Sequence, residues 1–377
     1  TVLEWPLPDR AEIAAILDAA IEALPEELKL TAAPNGSREA AIDAAVGLSG
    51  EEAASCYARS LVQHRRIDAA AVAREKKRVI TRERVLEWYD PLPGGLDSVG
   101  GLDCLKAWLG ARASAYTPAA RAYGLPAPRG VMLVGVPGCG KSMTAKAIAT
   151  AWGVPLLKLD LGALKSKFVG ESEGNLRKAF RVIEAIGRCV VWVDEIEKAL
   201  QGATSGSADG GVSSDALGAL LNWMQERQGA SFVIATANQV EALPPELLRK
   251  GRFDEVFFVD LPTAEERAQI LSATLRGFGR EVSDLSAVTM ACEGFTGSEI
   301  AALVPEALFV AFNDGARELT ATDLLASART VVPLAKTAAE KIARLREWSQ
   351  GRARPATTAA VVNIAAAAGG GARRLDI

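Results

Sequence analysis

Gly135-Val136-Pro137-Gly138-Cys139-Gly140-Lys141-Ser142 fits the pattern GxxxxGK[ST], and no other feature constrains this chain as strongly. The pattern carries meaning only between a buried strand and a helix. Both are legible here: an apolar run over 130–135 precedes it, and a helix is expected over 141–152. Glycines let successive backbone N–H groups turn inward as an anion nest. The helix start adds the positive end of its dipole. In such a loop Lys141 reaches the β- and γ-phosphates of a nucleotide and the Ser142 hydroxyl binds Mg²⁺. Met143, the next residue of the helix, joins the expected nucleotide contacts.

The surrounding sequence alternates strands with helices. Strands are expected over 130–135, 155–159, 189–194, 232–236 and 256–259, as short runs rich in Val, Leu and Ile. Such runs suit parallel strands buried on both faces. Helices are expected over 141–152, 173–186 and 213–228. The expected fold is α/β: a P-loop three-layer α/β/α arrangement with a five-stranded parallel sheet, followed by an all-α lid. By composition, 1–73 is a helical, Ala-rich region and 74–100 a linker. Residues 101–260 form the α/β core, 261–350 the lid and 351–377 a mobile tail rich in Ala, Gly and Arg.

An internal echo relates the first and fourth regions. Leu7-Pro8-Asp9 resembles Leu261-Pro262-Thr263, and Gly47-Leu48-Ser49-Gly50 resembles Gly294-Phe295-Thr296-Gly297. Both pairs occur in the same order and lead into apolar helices. Residues 1–73 therefore read as the lid-like half of a second, degenerate module.

Further chemistry lies at strand ends, where open parallel sheets bind ligands. Val190–Val193 is followed by Asp194 and Glu195. Asp194 suits a Mg²⁺ role, and Glu195 is placed to orient and deprotonate an attacking water. Asn238 follows the strand at 232–236, where an amide can bond the γ-phosphate or that water. Arg249 and Arg252 precede the last strand. Such arginines stabilise charge on a transferring phosphoryl group and are worth about 10³–10⁵ in rate. Cys139 lies inside the nest, where the helix start and Lys141 favour a lowered thiol pKa; alkylation is then expected to block the empty site.

Composition excludes other classes. Hydrophobic residues make up 49% and the formal net charge is −3, which argues against global disorder and against a nucleic-acid-binding protein. No apolar run reaches the ~20 residues a bilayer requires. The single histidine, His64, excludes an HExxH site and leaves a Ser-His-Asp relay without a visible partner. Five dispersed cysteines without CxxC point to a reducing compartment and to neither zinc nor a disulfide framework. Because the chain opens on Thr1 and not on Met, a fragment or a processed product is expected.

The order of P-loop, Asp-Glu strand, Asn-ending strand, paired arginines and a helical lid with Gly-x-x-Gly resembles the AAA+ ATPases. Within them it is similar to the subgroup with the second region of homology, and most of all to an AAA family encoded in chloroplast genomes and in cyanobacteria and other bacteria. The resemblance implies a Mg²⁺-dependent ATPase in the bacterial cytosol or the plastid stroma. It implies that Val99 and Gly100, in Asp97–Gly101, cradle adenine, that Asn238 is a sensor, and that Gly297 and Ser298 approach the nucleotide from the lid. Arg249 and Arg252 would act on ATP held by a neighbour, which implies a homo-oligomer, in the family a hexameric ring. Lys167-Phe168-Val169-Gly170 matches the first pore loop, whose aromatic grips a polypeptide substrate or protein complex. An ATP-dependent switch or scaffold, and a nucleic-acid loader, are the competing readings.

Overall fold

The computed structural model describes residues 7–25, 29, 37–80, 86–90, 92–162, 171–200, 210–227, 229–249 and 251–358. The expected pore loop at 167–170 and the chain beyond 358 lie outside them. Two compact units divide the chain: 1–90, 155–193 and 198–232 in the first, 91–154, 194–197 and 233–377 in the second, each as far as described.

The first unit opens with helices Arg10–Glu22, Ser37–Ala45, Gly50–His64 and Ala69–Ile80. Ile13, Leu17, Ile42, Leu48, Tyr57 and Val72 form their common core. Strand β1 (Leu86–Tyr89) then pairs antiparallel with β3 (Leu156–Leu159), which pairs parallel with β4 (Val190–Val193). Helices Glu171–Ile186 and Gly210–Glu226 belong to the same unit, joined by a stack of Phe180 on Trp223 with ring centroids 4.4 Å apart.

The second unit carries four parallel strands in the order β5 (Phe232–Ala237), β2 (Gly130–Gly135), β6 (Glu255–Val259) and β7 (Arg354–Pro355). β2 and β5 are buried along their whole length, as central parallel strands must be. Helices Asp103–Ala113 and Lys141–Trp152 accompany them. The lid follows as helices Ala264–Gly277, Ser286–Ala291, Gly297–Asn313 and Ala321–Thr330 around a core that includes Leu271, Val288, Ile300, Leu303 and Leu324.

The internal echo has a structural counterpart. Helices Arg10–Glu22 and Ala264–Gly277 start with capping boxes, Asp9 with Glu12 and Thr263 with Glu266. Helices Gly50–His64 and Gly297–Asn313 do the same with Ser49/Glu52 and Thr296/Glu299. Each box satisfies N–H groups that a helix start leaves unpaired.

Three boundaries depart from the sequence reading. The division at 73/74 falls inside helix Ala69–Ile80. The expected linker contains β1, because Leu86 is fully buried and Leu86–Tyr89 complete the edge of β3. The expected mobile tail starts with ordered chain: Arg354–Pro355 add to β6, and Ala356 is buried at 1% exposure.

Candidate nucleotide-binding site

β2 runs into the phosphate loop, and glycines set the loop's turns. Gly135, Gly138 and Gly140 have φ of 147°, 77° and 87°, which side-chain-bearing residues rarely adopt. A Cβ on Gly138 would lie 2.3 Å from Ser298 Oγ, and one on Gly135 2.0 Å from the Val259 carbonyl oxygen. Gly140 instead faces open space, directly before helix Lys141–Trp152. A glycine-turned loop ahead of a helix N-terminus, with volume beside it, is a cradle for an anion.

Lys141 is 5% exposed. Its Nζ donates to the carbonyls of Gly135 at 2.9 Å and Val136 at 2.8 Å, neutral acceptors, while Glu197, Asp194 and Glu195 act on its charge only through space. Burial accordingly holds its pKa down at about 8. A bound phosphate would reverse that shift, because a nearby anion favours the ammonium form.

Asp194 joins three segments. Its Oδ1 accepts from Ser142 Oγ at 2.8 Å and from Thr236 Oγ1 at 2.7 Å. Thr236 Oγ1 in turn accepts the Glu195 N–H at 2.9 Å. Glu195 has φ of 47°, a left-handed conformation that costs a non-glycine residue roughly 1–3 kcal/mol. The Thr236 bond helps to hold it there. Asn238 Nδ2 donates to Glu195 Oε1 at 2.9 Å, and the Asn238 N–H donates to Glu197 Oε1 at 2.9 Å. Glu197 is 1% exposed, and burial, its largest influence, raises its pKa. Asn238 Oδ1 is buried and has no hydrogen-bond partner among the described residues.

The lid reaches the same loop. The Ser298 N–H donates to the Gly138 carbonyl at 2.9 Å. A Cβ on Gly297 would lie 3.2 Å from that carbonyl oxygen and 3.6 Å from Ile270 Cδ1. Ile270 also packs against Gly100, where a Cβ would lie 2.6 Å from Ile270 Cγ1. Val99 is buried, and its carbonyl accepts from Lys106 Nζ.

The structure thus gathers Gly135–Ser142, Asp194, Glu195, Asn238, Val99, Gly100, Gly297 and Ser298. Met143 stands on the first helical turn with its side chain 39% exposed. Arg249 is exposed, and Arg252 donates to the Glu246 carbonyl. Among the described residues neither arginine bonds to the phosphate loop or to the acids. Sequence reasoning missed Thr236 and Glu197. Thr236 was visible as a polar residue in an otherwise apolar strand, and Glu197 as a third acid beside Asp194 and Glu195. The expected activation of Cys139 is corrected: the thiol is 8% exposed, and burial pushes its pKa up to about 12, outweighing Lys141.

These residues fit a nucleoside triphosphate with Mg²⁺. The loop supplies the anion cradle, and Ser142 with Asp194 supplies the hard oxygen donors that Mg²⁺ prefers.

Residues 131–261 match the family model for ATPases associated with various cellular activities (AAA). Residues 11–83 match that for the second domain of SpoVK-like AAA ATPases. The AAA domain-containing protein ycf46 of Guillardia theta is 39% identical over 93% of this chain and 69% of its own length. Its counterpart in Trieres chinensis is 38% identical over 95% and 72%. The ATP-dependent zinc metalloprotease FtsH of Acidothermus cellulolyticus is 38% identical over 54% of the chain and 31% of its own length. Among solved structures, the FIGL-1 AAA domain matches in fold with a TM-score of 0.59 at 22% identity, over 74% of this chain and 96% of that one.

Two outcomes are expected at this site. If Lys141 regains its ordinary pKa on binding a phosphate, nucleotide binding at pH 8 takes up about half a proton, and affinity falls as pH rises above about 8. Calorimetric titration with ADP in buffers of different ionisation enthalpy measures that uptake; a value of zero refutes the linkage. Thr236→Val removes the hydroxyl that holds Asp194 and the Glu195 N–H. It should lower turnover by about 10- to 100-fold while changing nucleotide Kd by less than about threefold, as read from steady-state hydrolysis and equilibrium binding.

Proposed function

This chain belongs to the AAA ATPases and is an ATPase, and from that premise we propose that it couples Mg²⁺-dependent hydrolysis to remodelling or threading of a protein substrate within a ring of like subunits. The observation that carries the hydrolytic part of the reading is the continuous hydrogen-bonded path from Ser142 through Asp194, Thr236 and Glu195 to Asn238, with the lid tied to the same loop at Ser298.

In this reading Lys141 and the loop amides hold the phosphates, and Ser142 and Asp194 would hold the metal. When bound, Mg²⁺ supplies neutralisation of the charge on the phosphoryl oxygens. Glu195 accepts the proton of the attacking water, and Asn238 orients Glu195 and that water. Oxygen attack on the γ-phosphorus breaks the bond to the bridging oxygen, leaving ADP and phosphate.

Among the described residues Arg249 and Arg252 make no hydrogen bond to Asp194 or Glu195, which supports action on a neighbour's nucleotide. Phe309, Val310 and Phe312 on the lid helix are 66%, 51% and 70% exposed, apolar area of the kind that an assembly covers. Phe168 is the residue proposed to grip the substrate, and 1–73 the lid-like remnant of a preceding module. The matched capping boxes support that last reading.

The test begins with Glu195→Gln, which keeps the shape of the site and removes the base. It should bind ATP and turn over very slowly. Its particle mass with Mg²⁺-ATP should rise from the 39.6 kDa of the chain to about six times that value under cyclic symmetry. A monomer with ATP demonstrably bound defeats the ring, and unchanged turnover removes Glu195 from the base role. Phe168→Ala should keep basal hydrolysis and lose processing of an unfolded polypeptide; retained processing defeats the gripping role.

A further inference from the structure

We infer that the segment Arg354–Thr358 is a strap that sets the geometry of the loop Asp97–Gly101 through Glu266, making Thr357 and Glu266 positioning residues for nucleotide affinity and base selectivity. The inference rests on reading that loop as the base-contacting one.

The strap is built into the fold at every residue. Arg354 and Pro355 pair with Phe257 and Phe258 of β6. The Ala356 N–H donates to the Phe258 carbonyl at 2.9 Å, and the Ala356 carbonyl accepts the Leu105 N–H at 3.2 Å. Ala356 therefore fastens the edge of the sheet to helix Asp103–Ala113, which begins directly behind the loop. Thr358 Oγ1 lies 3.3 Å from Cys104 Sγ on that helix.

Thr357 reaches the lid. Its Oγ1 donates to Glu266 Oε1 at 2.7 Å. The same oxygen accepts the Leu102 N–H at 2.9 Å, while Glu266 Oε2 accepts the Thr263 N–H at 2.9 Å. One carboxylate, 6% exposed, thereby caps the first lid helix, holds the end of the loop and receives the strap. One turn along, Gln269 Oε1 accepts the Gly101 N–H at 2.8 Å, and Ile270 packs on Gly100.

The loop needs these restraints. Gly101 and Leu102 have φ of 72° and 61°, and the second value is unfavourable for leucine. A Cβ on Gly101 would lie 2.2 Å from Glu266 Oε1, so Glu266 occupies space that only glycine leaves. The Thr357 bond fixes one of the two oxygens of that carboxylate. Without it Oε1 keeps the Leu102 N–H alone and Oε2 keeps the Thr263 N–H, so the oxygen that holds Leu102 has one restraint fewer. Hydrogen bonds to charged groups are the stronger kind, and the site around Glu266 excludes most solvent.

Thr357→Val removes the hydroxyl and keeps the shape, while Thr357→Ser restores a donor. Both are measured as full chains by fluorescence titration with mant-ADP and mant-GDP, with thermal melting in parallel. The expected result for Thr357→Val is an ADP Kd raised by about tenfold, a smaller ratio of GDP to ADP Kd, and a Tm lowered by a few degrees at most. Thr357→Ser should return both binding values toward those of the parent chain. A merely structural role would lower Tm and leave the base ratio intact, and that pattern overturns the inference. Photolabelling of the parent chain with 8-azido-ATP tests the underlying reading. Label on the peptide containing 97–101, with binding unchanged in Thr357→Val, overturns the strap alone. Label elsewhere overturns the base-loop reading, and the strap's role in nucleotide binding falls with it.

Discussion

The site depends on one carboxylate oxygen. Asp194 Oδ1 accepts two hydroxyls, from the first turn of the phosphate-loop helix and from the end of β5. Residues 142, 194 and 236 are remote in sequence, and one oxygen joins them. Two charge-assisted bonds to one oxygen are worth more than neutral ones, at about 1.5–3 kcal/mol each. That is enough to offset the roughly 1–3 kcal/mol of left-handed backbone at Glu195, which Thr236 also holds through its N–H. The strain puts the Glu195 carboxylate within reach of Asn238. In this arrangement the residue that orders the loop and the residue proposed to take the proton are neighbours held by the same threonine.

What was legible in the sequence was what is local. The phosphate loop is one contiguous motif, and its glycines announce their conformations. The strands expected over 130–135 and 232–236 are buried runs, and β2 and β5 form there. What was not legible depends on partners distant in sequence. Thr236 is a single polar residue in an apolar strand, and only Asp194 beside it gives it a role. Leu86–Tyr89 carry Glu87 and two aromatics, a pattern too short to read without β3. The residues Arg354–Thr358 share the composition of a tail and are ordered by β6, Leu105 and Glu266. Cys139 shows the converse error: the helix start and Lys141 are visible in the sequence, whereas the burial that overrides them is not.

The two copies of the capping-box pair show how a local motif acquires a tertiary duty. In the first copy Glu12 and Glu52 close their own helix starts. In the second, Glu266 closes its box and also holds Leu102 and Thr357. Glu299 closes its box and holds the Leu334 N–H through its other oxygen. A carboxylate has about four acceptor directions, and a cap uses only some of them. The remaining capacity in the second copy ties Glu266 to Leu102 and Thr357, and Glu299 to Leu334. The same sequence signal therefore marks a cap in one region and a joint in the other.

That joint is made of individual hydrogen bonds of ordinary strength. Its direct links are the Ser298 bond to Gly138, the Gln269 bond to Gly101 and the Glu266 bond to Leu102. Typical net values of about 0.5–1.5 kcal/mol each for the first two, and about 1.5–3 kcal/mol for the charged one, give a coupling of a few kcal/mol. Reversing a two-state population from 1:99 to 99:1 requires about 5.5 kcal/mol of differential binding. A ligand that touches both loop and lid can supply that difference through its phosphates and its base together. The lid joint need not be broken by force; it has only to be outweighed. A single carboxylate, Glu266, then lies where the loop Asp97–Gly101, the lid and the segment Arg354–Thr358 meet.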